Sequence, residues 1–289
     1  MTTRRTLDEA IAATAHVLAV LGDAADARRE AEALAAACLG CGRAGLVTRG
    51  EYPLDAPLED ILEGWTRRRA AGEPLAYIVG HREFWTLRLV VTPAVLVPRP
   101  ETELLVERAL ALAAPRATEE HPPTVLDLGT GSGAIALAVA SEQRSWKVVA
   151  TDRSEAALDV AQLNARTHQL RHVEFLQGDW FAPLAGRRFD VIVANPPYVA
   201  ADDPLLSSDS LRAEPRMALT PGPAGLEAID VIVAAAPGHL ESGGWLALEH
   251  GFSQAADVAE RLVARGFRHV RSHADLAGHQ RVTEGQWTR

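Results

Sequence analysis

The sequence is poor in cysteine, almost devoid of lysine, short of long apolar runs and without an excess of positive charge. Each shortage excludes something. Two cysteines in 289 residues cannot build a disulfide framework. They stand at Cys38 and Cys41, a C-x-x-C pair. A redox pair of that spacing opens a helix in a thioredoxin-like unit, and a zinc site needs two more ligands. Here the pair closes an alanine-rich helical stretch, so it reads as two small buried side chains in a reducing compartment. Of the 29 basic residues only Lys147 is lysine, which with so much alanine reads as genomic composition bias. No apolar run approaches a membrane span. Arg4-Arg5 is followed by Asp8 and Glu9, where a twin-arginine signal needs an apolar core. The expectation is a cytoplasmic protein. The formal net charge is -9. Nonspecific binding to DNA or RNA requires Lys and Arg to neutralise phosphates, so the acidity argues against it while leaving room for a local basic groove.

What is present is ordinary for a folded soluble chain: 47% hydrophobic and 23% charged residues. A disordered chain is excluded, because it could not bury enough apolar surface to offset its conformational entropy. The length suggests two domains. Leu7, Ile11, Leu18 and Leu21 share one helical face. Asp26 is a candidate cap for a second helix through Leu34 and Ala37. Asp55 and Pro57 open a third, with an apolar stripe of Leu58, Ile61, Leu62 and Trp65. From Phe84 to Val97 the pattern turns to strands, a hairpin or extended arm broken by Pro93. An apolar helix around Leu104, Leu105, Val106 and Leu110 follows. Strands are then predicted at 125–128, 148–151, 173–176, 191–194 and 245–249. Helices are predicted at 134–140, 154–168, 226–236 and 253–264. This alternation specifies an α/β fold, a mostly parallel sheet with helices on both faces. The expected parts are residues 1–79, helical; 80–122, the arm and a linking helix; and 123–289, the α/β domain.

Ligands of such sheets bind at the carboxyl ends of the strands. Val125-Leu126-Asp127-Leu128-Gly129-Thr130-Gly131-Ser132-Gly133 is a strand running into a glycine loop that opens a helix. Glycines let the backbone approach a ligand closely, and the helix start offers free N–H groups. Asp152 ends the next strand, where a carboxylate can accept hydrogen bonds from both ribose hydroxyls. Gly129, Gly131, Ala134 and Asp152 also fit a dinucleotide pattern. This half of the site therefore points to an adenosine cofactor without choosing between NAD and S-adenosylmethionine. After the third strand, Asp179 is placed to bond an adenine amino group and Trp180 to pack on its ring. After the fourth stands Asn195-Pro196-Pro197-Tyr198. Two prolines stiffen the backbone and donate no hydrogen bonds. The Asn195 side-chain oxygen and the Pro196 carbonyl then form two fixed acceptors, suited to a planar –NH₂ group, with Tyr198 as a packing face.

The tetrapeptide behind this glycine loop resembles the amino-group methyltransferases, which act on exocyclic base amines or on glutamine amides. Arg82-Glu83-Phe84-Trp85 followed by Pro98-Arg99-Pro100-Glu101-Thr102-Glu103 is similar to the bacterial release-factor glutamine methyltransferases, the PrmC/HemK family. Glu249-His250-Gly251 and the run from Asp275 to Val282 resemble it too. The resemblance implies a Rossmann-like class I methyltransferase sheet, a small N-terminal helical domain that binds the substrate protein, and a connecting hairpin arm. It implies transfer of methyl from S-adenosylmethionine, with S-adenosylhomocysteine as product, to the glutamine of the Gly-Gly-Gln loop of class-1 release factors. By its motifs, Asn195, Pro196 and Tyr198 are the catalytic residues, and Asn195, Pro196, Pro197 and Tyr198 hold the substrate. Gly129, Thr130, Gly131, Ser132, Gly133, Asp152, Asp179, Trp180 and Asn195 hold the cofactor. No metal, no stable nucleic-acid partner and no membrane are expected, and the chain is expected to be a monomer.

Arg99, Glu101 and Glu103 either order an arm over cofactor and peptide or serve as structural ion pairs. His81, His239, His250 and His279 show no metal-ligand spacing. Ser132 lacks a nucleophile-elbow pattern. Arg67-Arg68-Arg69 reads as a solvated helix face. Three rivals remain open at this level: an adenine-N6 nucleic-acid methyltransferase using the same tetrapeptide, a nicotinamide oxidoreductase, and a non-catalytic binding protein that keeps the cofactor fold.

Overall fold

Helices come first in the chain, and capping residues set where they begin. The structure is a computed structural model that describes residues 4–118 and 120–288. Helix α1 (Leu7–Leu18) starts at Thr6. The Thr6 hydroxyl accepts the Glu9 N–H at 3.3 Å while the Glu9 carboxylate accepts the Thr6 N–H at 2.9 Å, a reciprocal cap that satisfies two otherwise unpaired donors. Helix α2 (Ala24–Cys38) is capped by Asp23 and not by the expected Asp26: the Asp23 carboxylate accepts the N–H groups of Ala25 and Asp26, each at 2.8 Å. Asp23 has the extended backbone that a cap requires, whereas Asp26 already lies in the first turn and pairs with Arg29. Helices α3 (Arg43–Val47), α4 (Ala56–Ala70) and α5 (Leu75–Val79) follow. Asp55 stands before α4, but its carboxylate meets Arg4 at 3.0 Å and makes no cap bond.

The chain divides into two compact units. The first runs to His81 and includes Ser208–Ala213. Its core gathers Leu7, Ile11, Leu18, Leu34, Leu46 and Leu62, with Leu58 and Trp65 at the margin. Ile61 is left largely exposed, so the stripe on α4 is narrower than its spacing suggests. Cys38 and Cys41 are free and half-buried against this core. Cys38 donates its thiol to the Leu58 carbonyl at 3.5 Å, and burial raises its pKa, the setting of an inert side chain. Arg67, Arg68 and Arg69 pair with Glu63, Glu73 and Glu30.

The second unit begins at Arg82. Strands β1 (His81–Phe84) and β2 (Leu87–Val90) form the two-stranded arm, and helix α6 (Glu103–Ala113) leads to the main sheet. Strands β3 (Thr124–Leu128), β4 (Lys147–Asp152), β5 (Glu174–Gln177), β6 (Phe189–Ala194) and β7 (Leu240–Glu249) run parallel to one another. Helices α7 (Ala134–Glu142) and α8 (Glu155–Thr167) cross between the first three. Single turns α9 (Asp209–Arg212) and α10 (Arg216–Leu219) precede α11 (Glu227–Ala235), and α12 (Ala255–Arg265) follows β7. Two strands absent from the sequence reading, β8 (Arg268–Ala274) and β9 (Gln280–Gln286), close the edge antiparallel. The order is β5-β4-β3-β6-β7-β9-β8.

Strand parity sorts the sheet's two cores. Val125, Val148, Ala150, Val191 and Val193 face one side, with residues of α6 and α7. Leu126, Leu128, Val149, Ile192 and Ala194 face the other, with Ile229, Ile232, Val258 and Leu262 of α11 and α12. Residues two apart share a face, so an apolar run is buried on both. Helix α7 is buried from Ala134 through Ala140, and its small alanines let it lie close to the sheet. The chain leaves β3 in one direction for β4 and β5 and returns to its other flank at β6. This opens a crevice at the carboxyl ends of β3 and β6.

Candidate active site

The crevice holds a cavity of about 370 Å3, within the range of small-molecule sites. Its floor is the loop between β3 and α7. Gly129, Gly131 and Gly133 all have positive φ, at 72°, 56° and 84°, a region that costs other residues about 1–2 kcal/mol. A side chain on Gly131 would meet no atom within 4 Å, so the loop's backbone is bared to the cavity there.

Buried acceptors hold the loop in shape. Asp127, wholly buried, takes the Thr130 hydroxyl at 2.6 Å and the Ala136 N–H at 3.2 Å. Its second oxygen has no partner among the described residues, and burial lifts its pKa to about 7. Asp152, at the end of β4, accepts the Gly131 N–H on one oxygen and the Ser154 N–H on the other, both at 2.9 Å. A carboxylate offers about four lone pairs, so two acceptor positions remain after these bonds. Asn164 of α8 is buried and ties the loop to the arm. It accepts the Val90 N–H at 2.7 Å and donates to the carbonyls of Val90 and Ser132 at 3.0 and 2.9 Å.

On the other flank, Trp180 has a left-handed backbone, φ 48°. Thr151 donates to its carbonyl at 3.2 Å, and its ring lies against Gly129. Asp179 beside it is exposed and lines the cavity. Asn195 follows directly on β6. Its amide nitrogen donates to the hydroxyl of buried Thr102 at 3.2 Å, which leaves the amide oxygen free for another donor. Tyr198 turns its hydroxyl to Glu249 at the end of β7, 3.4 Å away, and its carbonyl accepts from Gln254 at 3.1 Å. Glu249 is buried, and its pKa rises to about 7. Burial is the main cause, opposed by the nearby Thr102 hydroxyl and by the charge of Arg281, and its Oε2 has no hydrogen-bond partner among the described residues. Burial also raises the Tyr198 pKa, so the phenol is neutral.

The fold thus brings Gly129, Thr130, Gly131, Ser132, Asp152, Asp179, Trp180, Asn195 and Pro197 to one cavity. Gly133 starts α7 behind it, Pro196 is buried, and Tyr198 stands outside the lining. Arg99 lines the cavity and pairs with buried Glu214, which also accepts the Val97 N–H at 3.0 Å. Glu103 accepts the Trp85 N–H at 2.7 Å. These two side chains hold arm and loop backbone, and Glu101 is exposed. His250 is buried on Thr283 at 2.7 Å, and no group of three or more potential metal ligands occurs among the described residues.

Thr102, Asp127, Asn164 and Glu249 escaped the sequence reading as individual site residues. Asn164 had a signal: it sits on the apolar stripe of α8 with Ala157, Val160, Ala161 and Ala165. A polar residue on such a stripe is buried with partners.

A mostly parallel sheet in this strand order, closed by the antiparallel β9 and β8 beside β7, with the cavity at its carboxyl ends, is the fold of the class I methyltransferases. Residues 102–278 match the family described as the methyltransferase small domain, and residues 9–80 match the PrmC N-terminal domain. A Pseudomonas aeruginosa protein named release factor glutamine methyltransferase is 50% identical, over 92% of this chain and 95% of its own. One of the same name from Xylella fastidiosa is 48% identical over 90% and 93%. A methyltransferase crystal structure from Pyrococcus furiosus shares the fold, with a TM-score of 0.53 at 21% identity, covering 70% of this chain and 90% of that one. The chain belongs to the release factor glutamine methyltransferase family, and its chemistry is that of an S-adenosylmethionine-dependent methyltransferase. No helix among the described residues is long and apolar enough to cross a membrane.

Proposed function

We propose that this enzyme methylates the side-chain amide nitrogen of the glutamine in the Gly-Gly-Gln loop of class-1 peptide-chain release factors. The observation that carries the reading is the Asn195 amide at the cavity wall. Its nitrogen is taken up by Thr102 and its oxygen is free, next to a floor that fits an adenosine cofactor. That fit rests on the bared backbone at Gly131 and on the spare lone pairs of Asp152. The names of relatives matched over nine-tenths of the chain support the same substrate.

S-adenosylmethionine, when bound, supplies a methyl group on a positively charged sulfonium, so the protein has to place a weak nucleophile rather than create a strong one. In this reading Asp152 accepts the ribose hydroxyls, Asp179 the adenine amino group, and Trp180 packs on the base. The loop from Gly129 to Gly133 passes its backbone close to the amino-acid end; its other N–H groups donate to Thr151, Asp152 and Thr130, so the Ser132 N–H is the one left to meet that end. Asn195 Oδ1 and the Pro196 carbonyl each accept one hydrogen of the glutamine –NH₂, while Pro197 and Tyr198 stiffen and flank that edge. Both acceptors favour the positive charge that develops on nitrogen, and such preorganised dipoles are worth several kcal/mol in a water-poor site. Holding the amide at attack distance adds to this. The methylated nitrogen loses its proton readily, so no strong general base is needed.

The test is mass spectrometry of a recombinant release factor after incubation with the enzyme and S-adenosylmethionine. One methyl group on the Gly-Gly-Gln glutamine is expected. Methyl incorporated only into duplex DNA offered at equal concentration would reverse the assignment.

A further inference from the structure

We infer that Gln254 is a positioning residue: it holds the peptide group that follows Tyr198 and so fixes the far half of the edge that receives the substrate –NH₂. The inference rests on the segment from Asn195 to Tyr198 being that edge. Proline fixes φ and leaves ψ free. The two prolines therefore stiffen the start of the edge but do not set the backbone at Tyr198, where the chain leaves it. That direction has to be set from outside the tetrapeptide. The Tyr198 hydroxyl does this only weakly, since its contact with Glu249 is long, at 3.4 Å.

Gln254 stands just before helix α12 and reaches three backbone groups. Its Oε1 accepts the Gly251 N–H at 2.8 Å, and its Nε2 donates to the Tyr198 carbonyl at 3.1 Å and the Gly225 carbonyl at 3.3 Å. A backbone N–H can only donate and a backbone carbonyl can only accept, so each end of this amide has a single assignment. The Gly251 turn that takes up Oε1 is anchored in its turn. The His250 ring meets the Thr283 hydroxyl at 2.7 Å, and the His250 N–H donates to the Arg281 carbonyl at 2.9 Å. On the opposite edge of the same peptide group, the Val199 N–H donates to the Leu219 carbonyl at 3.0 Å. The peptide between Tyr198 and Val199 is thus held on both polar edges, by Gln254 and by the segment whose Ala218 and Thr220 line the cavity. The fit is close at Gly225, which has φ 75°: an added Cβ would lie 2.6 Å from the Tyr198 oxygen and 3.2 Å from Gln254 Nε2. The start of α11 has further ties of its own. The Ala201 N–H donates to the Gly222 carbonyl at 3.0 Å and the Ala224 N–H to Glu227 at 2.8 Å. Loss of the Gln254 donor therefore falls on Tyr198 and leaves the α11 wall of the cavity in place.

Full-length variants assayed on a release factor test this. Gln254→Glu keeps the acceptor for Gly251 and removes the donor, setting a carboxylate oxygen against two carbonyls. It is expected to lower kcat about tenfold, the scale of one hydrogen bond. The KM for S-adenosylmethionine and the calorimetric affinity for S-adenosylhomocysteine should stay within about twofold. Gln254→Met removes the donor without adding charge, and kcat should fall in it by about the same factor. A residue that served stability alone would lower the melting temperature and leave kcat of the folded enzyme unchanged. Wild-type kcat in Gln254→Met, or a loss of cofactor affinity as large as the loss of kcat, overturns the inference. If Gln254→Glu does not fold, Gln254→Met decides alone. If the wild-type enzyme binds S-adenosylhomocysteine but leaves the release factor unmethylated, the functional reading itself falls and the inference with it.

Discussion

At the residue scale, catalysis and cofactor binding fall on different side chains, and this separation can be measured. Asn195 is tethered through its nitrogen to Thr102 and makes no hydrogen bond to the glycine loop. Asn195→Ala is expected to retain affinity for S-adenosylhomocysteine by calorimetry while losing at least a hundredfold in methyl transfer, the scale of removing one preorganised polar group. Asp152 has the opposite profile. Besides its proposed ribose contact it holds Gly131 and Ser154 by their N–H groups. Asp152→Ala should weaken cofactor binding by about ten- to a hundredfold, since a hydrogen bond to a charged group contributes about 1.5–3 kcal/mol. Unchanged affinity would refute the ribose role. The glycines, Asp152 and Asn195 were legible in the sequence because their backbone demands and chemistry are local. Thr102 was not, because its partner lies 93 residues away and a threonine beside a glutamate carries no sign of which strand end it will meet.

At the scale of elements, the loop between β3 and α7 is held by its neighbours as much as by its own glycines. Asn164 binds both the β2 backbone at Val90 and the loop carbonyl of Ser132. Asn164→Ala removes the side-chain partner of three backbone groups, the part-buried N–H and carbonyl of Val90 and the buried carbonyl of Ser132. A loss of about 3 kcal/mol is expected, or roughly 6–12 °C in the melting temperature of a unit of this size, with weaker cofactor binding as a second effect. Thermal unfolding followed by circular dichroism checks the first, calorimetry the second. Strands β3, β4, β6 and the end of β7 could be predicted because burial on both faces makes them continuous apolar runs, whereas edge strand β5 has only Phe175 and Leu176 half-buried. Strands β8 and β9 could not. Arg268, Arg271 and His273 leave β8 with no such run, and only its antiparallel pairing with β9 defines it as a strand. Asp23 took the capping role expected of Asp26 because the cap goes to the last residue with extended backbone, and that boundary lies three residues earlier than the apolar pattern implied.

At the scale of the whole molecule, two buried carboxyl groups shape the response to pH. Asp127 and Glu249 both have folded-state pKa values of about 7, against about 4 when unfolded. The folded state therefore holds these protons more tightly. Their contribution to stability is complete below about pH 4 and is lost as pH rises through about 7. His250, whose pKa burial lowers, acts in the opposite sense as pH falls below 6.5. The comparison that isolates Asp127 is the melting temperature at pH 5 minus that at pH 8. This difference should be smaller in Asp127→Asn than in wild type, and an equal difference would show that Asp127 is not the titrating group. The acidity of the whole chain works at this scale too, since it favours a protein glutamine over a phosphate-bearing base as substrate.

By itself the sequence determined the fold class, the strand–loop–helix that bares a backbone to a ligand, and a tetrapeptide whose prolines stiffen one polar edge. These follow from steric limits and hydrogen-bonding capacity within a few residues. Tertiary structure decided the rest. The order of the parallel strands brought Asp152, Trp180 and Asn195 to a single cavity, burial set the pKa values of Asp127 and Glu249, and Thr102 became the hydrogen-bond partner of Asn195. The reason is the same in each case. A buried polar group must find its partner inside the protein, and which partner it finds depends on which distant strands and helices the fold places beside it.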